Sequence, residues 1–463
     1  MTEEVPMAQP PQPAALPVPA LAATPRRRAG RVIMLVALVS ALFGANCLYL
    51  DNLSRHYKLF NVTDFSHHGW LAGRVVWGGG SPYDSQTWLQ THWNAEYEQE
   101  IGRAYTNGQF VNVFHTRSGT VYNPQHLSDF LYPLWMAFFF SPFALLPLYW
   151  ALALFMLVNE LALLLALWWA CRLLQFRPPW PITIVIVLLV AGFRPTFLTL
   201  QEGAYTGFVL AALLGAIVLI QQRQHAWLVG ALLAFCTIKM QVAVLILAYI
   251  GLWLLAQRRW QVIGWTAVWG ACQWLLPTVL WPGWMGQWLK MTSLVNPVIF
   301  AQPTLWSLWV TYGGSYWWMI GLIVTAGLLG GIIRLWRRDF RSAQWTALPL
   351  TFIAAVPMTY YAWEYDLVLL LFPWLACWSR AAVGFSPAAR RWRLALIGWI
   401  LLLPLYALLL PVPANQIATY GLLLPGTLLL LYVLAHRGRL RQSVVNEGTI
   451  DQTSAQRVVN ATA

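Results

Sequence analysis

Charge is scarce in this chain. Of 463 residues only 10% are Asp, Glu, Lys or Arg, against 59% apolar. That leaves too little polar surface to cover a water-soluble globule, and the apolar residues fall in long runs of the kind that cross bilayers. Acids are the rarer sign: 16 stand against 29 Lys and Arg, for a net charge of +13. The excess sits in short basic loops between apolar runs, which is the positive-inside pattern and gives no reason to invoke nucleic acid. Cysteines are few: Cys47, Cys171, Cys236, Cys272 and Cys377, with no CxxC pair among them. All lie in or beside apolar runs and read as buried small hydrophobes, with no disulfide or metal role. There is no P-loop, no dinucleotide fingerprint after a strand and no G-x-S-x-G elbow. Gly78-Gly79-Gly80 has no nucleotide-binding fold around it, and reads as a flexible turn before Pro82. No internal repeat of fixed period is visible.

Trp is abundant, with 29 copies. Indole rings favour the membrane–water interface, and some could also stack on a sugar. The first residues are rich in Pro and Ala, so a disordered cytoplasmic tail is expected over 1–31. Arg26-Arg27-Arg28 and Arg31 precede the apolar run 32–50. That run approaches the roughly 20 residues a bilayer needs, and no A-x-A site follows it, so it reads as an uncleaved first helix.

Residues 51–129 then form a long non-cytoplasmic segment holding seven of the sixteen acids and six of the eight histidines. Within it, 70–77 and 88–105 are expected to be short amphipathic helices on the bilayer surface. From 131 to 435 apolar runs follow in quick succession. Counting back from a cytoplasmic C-terminus puts every basic loop in the cytoplasm. One conflict remains. Either 131–147, with Pro133 and Pro142, is a broken segment buried against protein, or it is a true span and 226–256 is a single bent helix. Both readings give about twelve spans: an all-α polytopic membrane protein with its membrane domain at 32–435, both termini cytoplasmic, and a disordered tail over 436–463.

The acids near the spans are Glu160, Glu202, Glu364 and Asp366. An ionised group at membrane depth costs roughly 2.5–3.5 kcal/mol on insertion scales, so it needs a role or a partner. Alternation brings Glu202, Glu364, Asp366 and Lys239 to span ends on the side of Asp64. Arg194 either pairs with Glu202 or, with Lys239, grips a phosphate. Asp64 fits one helical face with His67 or His68, at i+3 or i+4. Adjacent histidines point about 100° apart, and zinc needs three or four ligands, so no metal site is assigned. The histidines are open to an interfacial, a sugar-contacting or a catalytic role.

Several motifs occur in a telling order. Asp64-Phe65 is followed by Gly79-Gly80-Ser81-Pro82-Tyr83-Asp84. Tyr132-Pro133-Leu134 and Ser141-Pro142-Phe143-Ala144-Leu145-Leu146-Pro147 come next, then 227–230 through Ile238-Lys239. This order over 60–245 resembles glycosyltransferase family 87 of the C superfamily (GT-C), which includes polyprenyl-phosphate-mannose-dependent mannosyltransferases. Two departures are plain. Leu134 replaces a second Pro, and Gln201-Glu202-Gly203-Ala204 displaces the family's Gly-Gln.

The resemblance implies a GT-C-like bundle in the plasma membrane with a catalytic Asp in the long first loop. The enzyme would move a mannose-like hexose, with inversion, from a polyprenyl-phosphate donor to a lipid or glycan acceptor on the outer face. Membrane lipid surrounds the chain, and no cofactor, metal or nucleic acid is implied. It makes Asp64 the general base. Lys239 and Arg194 are expected at the donor phosphate, and His67, His68, Tyr83, Tyr132, Gln201 and Glu202 at the substrates. The alternatives are a transporter of solutes or lipid-linked oligosaccharides, which calls for charge at the membrane midplane, and an O-antigen ligase or polymerase, whose large outer loop usually comes late in the chain.

Overall fold

Why the helices form is plain from their composition: they are apolar runs with few breakers, and in lipid a helix satisfies every backbone polar group internally. The computed structural model describes residues 25–57, 64–84, 87, 130–294, 303–307, 314–381, 387–409 and 422–434. These are helical with irregular connections, and no strand occurs among them.

By compactness the chain divides into two units, 1–45 and 46–463. In the first, the described residues belong to one helix, Pro25–Tyr57, which covers the expected first span and starts inside the tail assigned to 1–31. The remainder of that tail, the segment 88–105 and the tail 436–463 lie outside the described residues.

The second unit is built around Thr206–Gln221. This helix is buried on nearly every face and packs along Leu148–Leu173 and Ala226–Phe235. Ala226–Phe235 in turn lies along Trp260–Leu280. The contact is close at Gly230, where a Cβ would meet the backbone carbonyl carbon of Trp265 at 2.6 Å and the Thr266 nitrogen at 2.7 Å. The outer face of Trp260–Leu280 exposes Trp260, Trp265, Val268, Leu275, Leu276 and Val279. An apolar face of that extent suits lipid and not water.

Among the described residues two helices, Leu148–Leu173 and Ala226–Ala256, are long and apolar enough to cross a membrane. A third span is reached if Trp180–Ala191 and Arg194–Gln201, bent by 64° at their junction, count as one. Among the described residues this measure does not reach the twelve expected spans. The two readings of the proline-containing segment are resolved by one half of each. Residues 226–256 form one run, interrupted only by the 3-10 turn Cys236–Lys239. Lys239 therefore lies inside a span-length helix and not at its end. Leu134–Phe140 is a short helix continued by the 3-10 turn Ser141–Leu145, with Leu134, Trp135, Met136, Ala137 and Phe140 buried in protein.

Residues 70–77 are not a surface helix. Ser66–Leu71 is a turn of π-helix that continues as Ala72–Trp77, and Trp70, Leu71, Ala72 and Val75 are buried. Gly73 lets this helix approach Ser141–Leu145, since a Cβ there would lie 2.9 Å from the Ser141 Cα. The glycine run forms a defined stop to the helix. Gly79 takes φ +76°, and the Gly80 N–H closes back on the Val75 carbonyl at 2.9 Å.

The crossing at Gly230 generates a test. Gly230→Val forces backbone apart and should cost about 1–3 kcal/mol, as overpacked cores do. Thermal unfolding in detergent should fall by several degrees. Gly264→Ala, where a Cβ meets nothing within 4 Å, should leave it unchanged.

Candidate active site

Asp64 opens the helical turn that leads into Ser66–Leu71, so its carboxylate and His68 share a face one turn apart. His68 Nδ1 lies 2.9 Å from Asp64 Oδ1. Tyr132 sits just before the extended Pro133 that starts the Leu134–Phe140 helix, and its hydroxyl donates to both Asp64 oxygens, at 3.2 and 3.0 Å. The Tyr365 hydroxyl reaches Asp64 Oδ2 at 3.5 Å. Tyr83, itself buried, donates from its hydroxyl to the Tyr132 carbonyl at 2.6 Å and so fixes the backbone behind that ring.

Lys239 projects from the 3-10 interruption of the 226–256 helix. Its Nζ is 2.9 Å from Asp366 Oδ1, 3.9 Å from Asp64 Oδ2 and 4.2 Å from the centre of the Tyr365 ring. Lys239 is 1% exposed and Asp366 0%. Asp366 also accepts from the Trp363 N–H at 2.9 Å and from the Thr206 hydroxyl. The structure thus brings Asp64, His68, Tyr132 and Lys239 together, and Tyr83 directly behind them. It adds Asp366, Tyr365 and Thr206, which the sequence did not assign to the site. Burial was the available signal for Asp366: an acid in so apolar a setting needs a cation, and Lys239 is one of very few.

Arg194 is placed otherwise than one reading of the sequence expected. Its partner is Glu364 and not Glu202, in a two-pronged pair at 2.5 and 3.0 Å. The reason is geometric. Arg194 begins the Arg194–Gln201 helix and Glu202 caps the other end, while Glu364 comes from the turn Glu364–Leu370 packed along that helix. Gln201 and Glu202 are half-buried at that far end. Glu202 adjoins Asp64 through the chain: its carbonyl accepts from the Phe65 N–H at 3.3 Å. The side chain of His67 lies outside what is described. No group of three or more His, Cys, Asp or Glu with metal-binding geometry occurs among the described residues.

The two carboxyls are tuned apart. Burial pushes Asp64 up, but the His68 hydrogen bond, the Lys239 charge and the Tyr132 hydrogen bond outweigh it and hold the carboxyl below its ordinary value. Glu202 is pushed up to about 7, first by burial and then by the Asp64 charge. Opposite shifts on neighbouring acids are a hallmark of acid–base sites.

Residues 130–359 match the sequence profile of glycosyltransferase family 87, the family whose motifs the chain resembles. That match supports a membrane glycosyltransferase in general. The matched region includes Tyr132, Arg194, Glu202, Thr206 and Lys239, while Asp64 and Asp366 lie on either side of it. No curated protein and no solved structure matches the chain.

Two measurements probe this electrostatic arrangement. Lys239→Met strands Asp366 in a buried site and should cost about 3–5 kcal/mol, whereas Lys239→Met with Asp366→Leu should recover most of that loss, read as thermal unfolding in detergent. Glu202 binds a proton more tightly folded than unfolded, so its contribution to stability is present below its ordinary range and is lost as pH rises through about 7. Asp64 works in the opposite sense, and its contribution is lost as pH falls. Glu202→Gln should therefore match the wild type at about pH 4.5 and exceed it increasingly up to about pH 8. A difference independent of pH would contradict the assignment.

Proposed function

We propose that this glycosyltransferase takes its sugar from a polyprenyl-phosphate donor and that Asp64 is the base which activates the acceptor. The observation that carries the reading is the buried cluster Asp64–His68–Tyr132–Lys239. It holds one carboxylate ionised and oriented, with a cation behind it. A lipid-borne donor suits an enzyme whose helices carry lipid-facing surface, and it needs no soluble nucleotide sugar on the outer face.

In the reaction an acceptor hydroxyl attacks the anomeric carbon as its proton passes to an Asp64 oxygen. The bond from that carbon to the phosphate oxygen breaks, and polyprenyl phosphate leaves with the electron pair. One displacement inverts the anomeric centre and needs no covalent enzyme intermediate. His68 and Tyr132 hold the carboxylate in register. Lys239 and Arg194 serve the departing phosphate electrostatically. In the resting site Lys239 is held by Asp366 and Arg194 by Glu364, so the phosphate shares these cations with the carboxylates. Tyr83 acts behind Tyr132, while His67, Gln201 and Glu202 contact the substrates. A mannose-like hexose, a lipid or glycan acceptor, an outer-face site in the plasma membrane, cytoplasmic termini and about twelve spans complete the proposal. They rest on the resemblance and on the one-sided distribution of Lys and Arg.

One observation favours a second reading. An ion pair at the interruption of a span-length helix is also how transporters hold ions and substrates. A transfer assay separates the two. Membranes containing the protein are given radiolabelled polyprenyl-phosphate mannose, glucose or arabinose and total lipid extract, and products are resolved by chromatography. Label should move into a new lipid or glycan. Asp64→Asn, which keeps the shape and loses the proton acceptor, should lower the rate by ~10²–10⁴ with donor binding intact. Asp84→Asn should not, because Asp84 caps a turn by accepting from the Thr87 N–H at 3.0 Å. Label that crosses the bilayer unaltered would favour the transporter, and near-normal transfer by Asp64→Asn would remove the residue from the role.

A further inference from the structure

The Gly314–Ser342 helix carries a second charged feature, apart from the cluster around Asp64. Arg334, Arg337, Arg338 and Arg341 follow one another at i, i+3, i+4 and i+7, so they share one face. All four are exposed, and none has an ion-pair partner among the described residues. With Ser342 they line an open groove along the side of this one helix. The one acid of the helix cannot neutralise them. Asp339 is fully buried on another face, where it accepts from the Tyr249 hydroxyl at 2.6 Å, from the Ala347 N–H at 2.7 Å and from the Thr346 hydroxyl.

The same face continues toward the N-terminus as an apolar track. Gly327, Gly330 and Gly331 lie one and two turns before the arginines, and a Cβ on any of them would meet nothing within 4 Å. Ile323, 70% exposed, lies one turn further along that line, and Leu322, Val324 and Leu328 are exposed beside it. A helix that exposes hydrocarbon over most of its length and four cations at its end crosses from acyl chains to headgroups at that boundary. Arginines in a last helical turn also suit the helix dipole. The dipole accounts for Arg341 but not for Arg334, two turns earlier, nor for four exposed guanidiniums gathered on one face.

We propose that this face binds an anionic phospholipid, its phosphate held by the four arginines and an acyl chain lying along the glycine track to Ile323. Guanidinium groups match phosphate with two parallel hydrogen bonds, and basic pockets on membrane helices favour acidic headgroups. The proposal stands apart from the transfer reaction and does not require it.

The test uses the full-length protein in neutral detergent, with phosphatidylglycerol or phosphatidylcholine of identical acyl chains added in turn. Bound lipid is counted by native mass spectrometry. The wild type should retain phosphatidylglycerol over phosphatidylcholine, and the preference should weaken with salt. At about fivefold per arginine, changing all four to Gln should lower phosphatidylglycerol affinity on the order of 100-fold or more. Changing all four to Lys should retain much of it. If the Gln protein does not fold, the pair R337Q/R341Q should still show a loss on the order of tenfold. Equal retention of the two lipids by the wild type overturns the proposal, as does unchanged affinity in the Gln proteins. A dimer in light scattering that dissociates on Gly330→Leu would assign the face to a second copy of the chain instead.

Discussion

Lys239 is the constraint on which the rest of the site depends. An ammonium that is 1% exposed in an apolar bundle survives only if carboxylates meet it, and Asp366 at 2.9 Å is the first of these. Meeting it fixes a good deal of structure. The 226–256 helix must open into a 3-10 turn at Cys236–Lys239. The turn Glu364–Leu370 must present Asp366, whose other lone pairs are taken by the Trp363 N–H and the Thr206 hydroxyl. Tyr365 then lies under the ammonium and points its hydroxyl at Asp64. The carboxylate given the central chemical role is thus the outermost member of a charge chain anchored in the core.

That chain also explains the division of labour between the two acids beside it. Asp64 has its oxygens occupied by donors and a cation, and stays ionised. Glu202, joined to it by the Phe65–Glu202 backbone hydrogen bond, is raised first by its own burial and then by the fixed negative charge of Asp64. Arg194 stands at the other end of the same helix, paired with Glu364, and does not relieve it.

How much of this could be read from the sequence follows the range of each interaction. The Asp64–His68 contact spans one helical turn, and spacing offered it as one of two choices, His67 or His68. Tyr132 and Tyr83 were carried by the motif order, although their mutual contact was not. Contacts across long separations were invisible to spacing: Lys239 meets Asp366 across 127 positions and Arg194 meets Glu364 across 170. Alternation of apolar runs put these groups on one side of the bilayer but could not pair them. It also misjudged Lys239, because a 3-10 turn inside a continuous apolar run leaves no mark in hydropathy. The helix 70–77 was misplaced for a related reason. Its glycine allows a close approach to Ser141–Leu145 that amphipathic patterning alone would assign to a lipid surface.

The span from Asp64 to Tyr365 has a consequence for how the protein is made. These residues are 301 positions apart in the chain and 3.5 Å apart in space. At 5–20 residues per second, roughly 15–60 s of synthesis separate their emergence from the ribosome. Through that interval Asp64 has His68 and then Tyr132, but the Lys239–Asp366 anchor does not exist. The nascent chain therefore carries an unassembled carboxylate that water must solvate. The last third of the polypeptide closes the cluster, and a chain released early has the motif without the site.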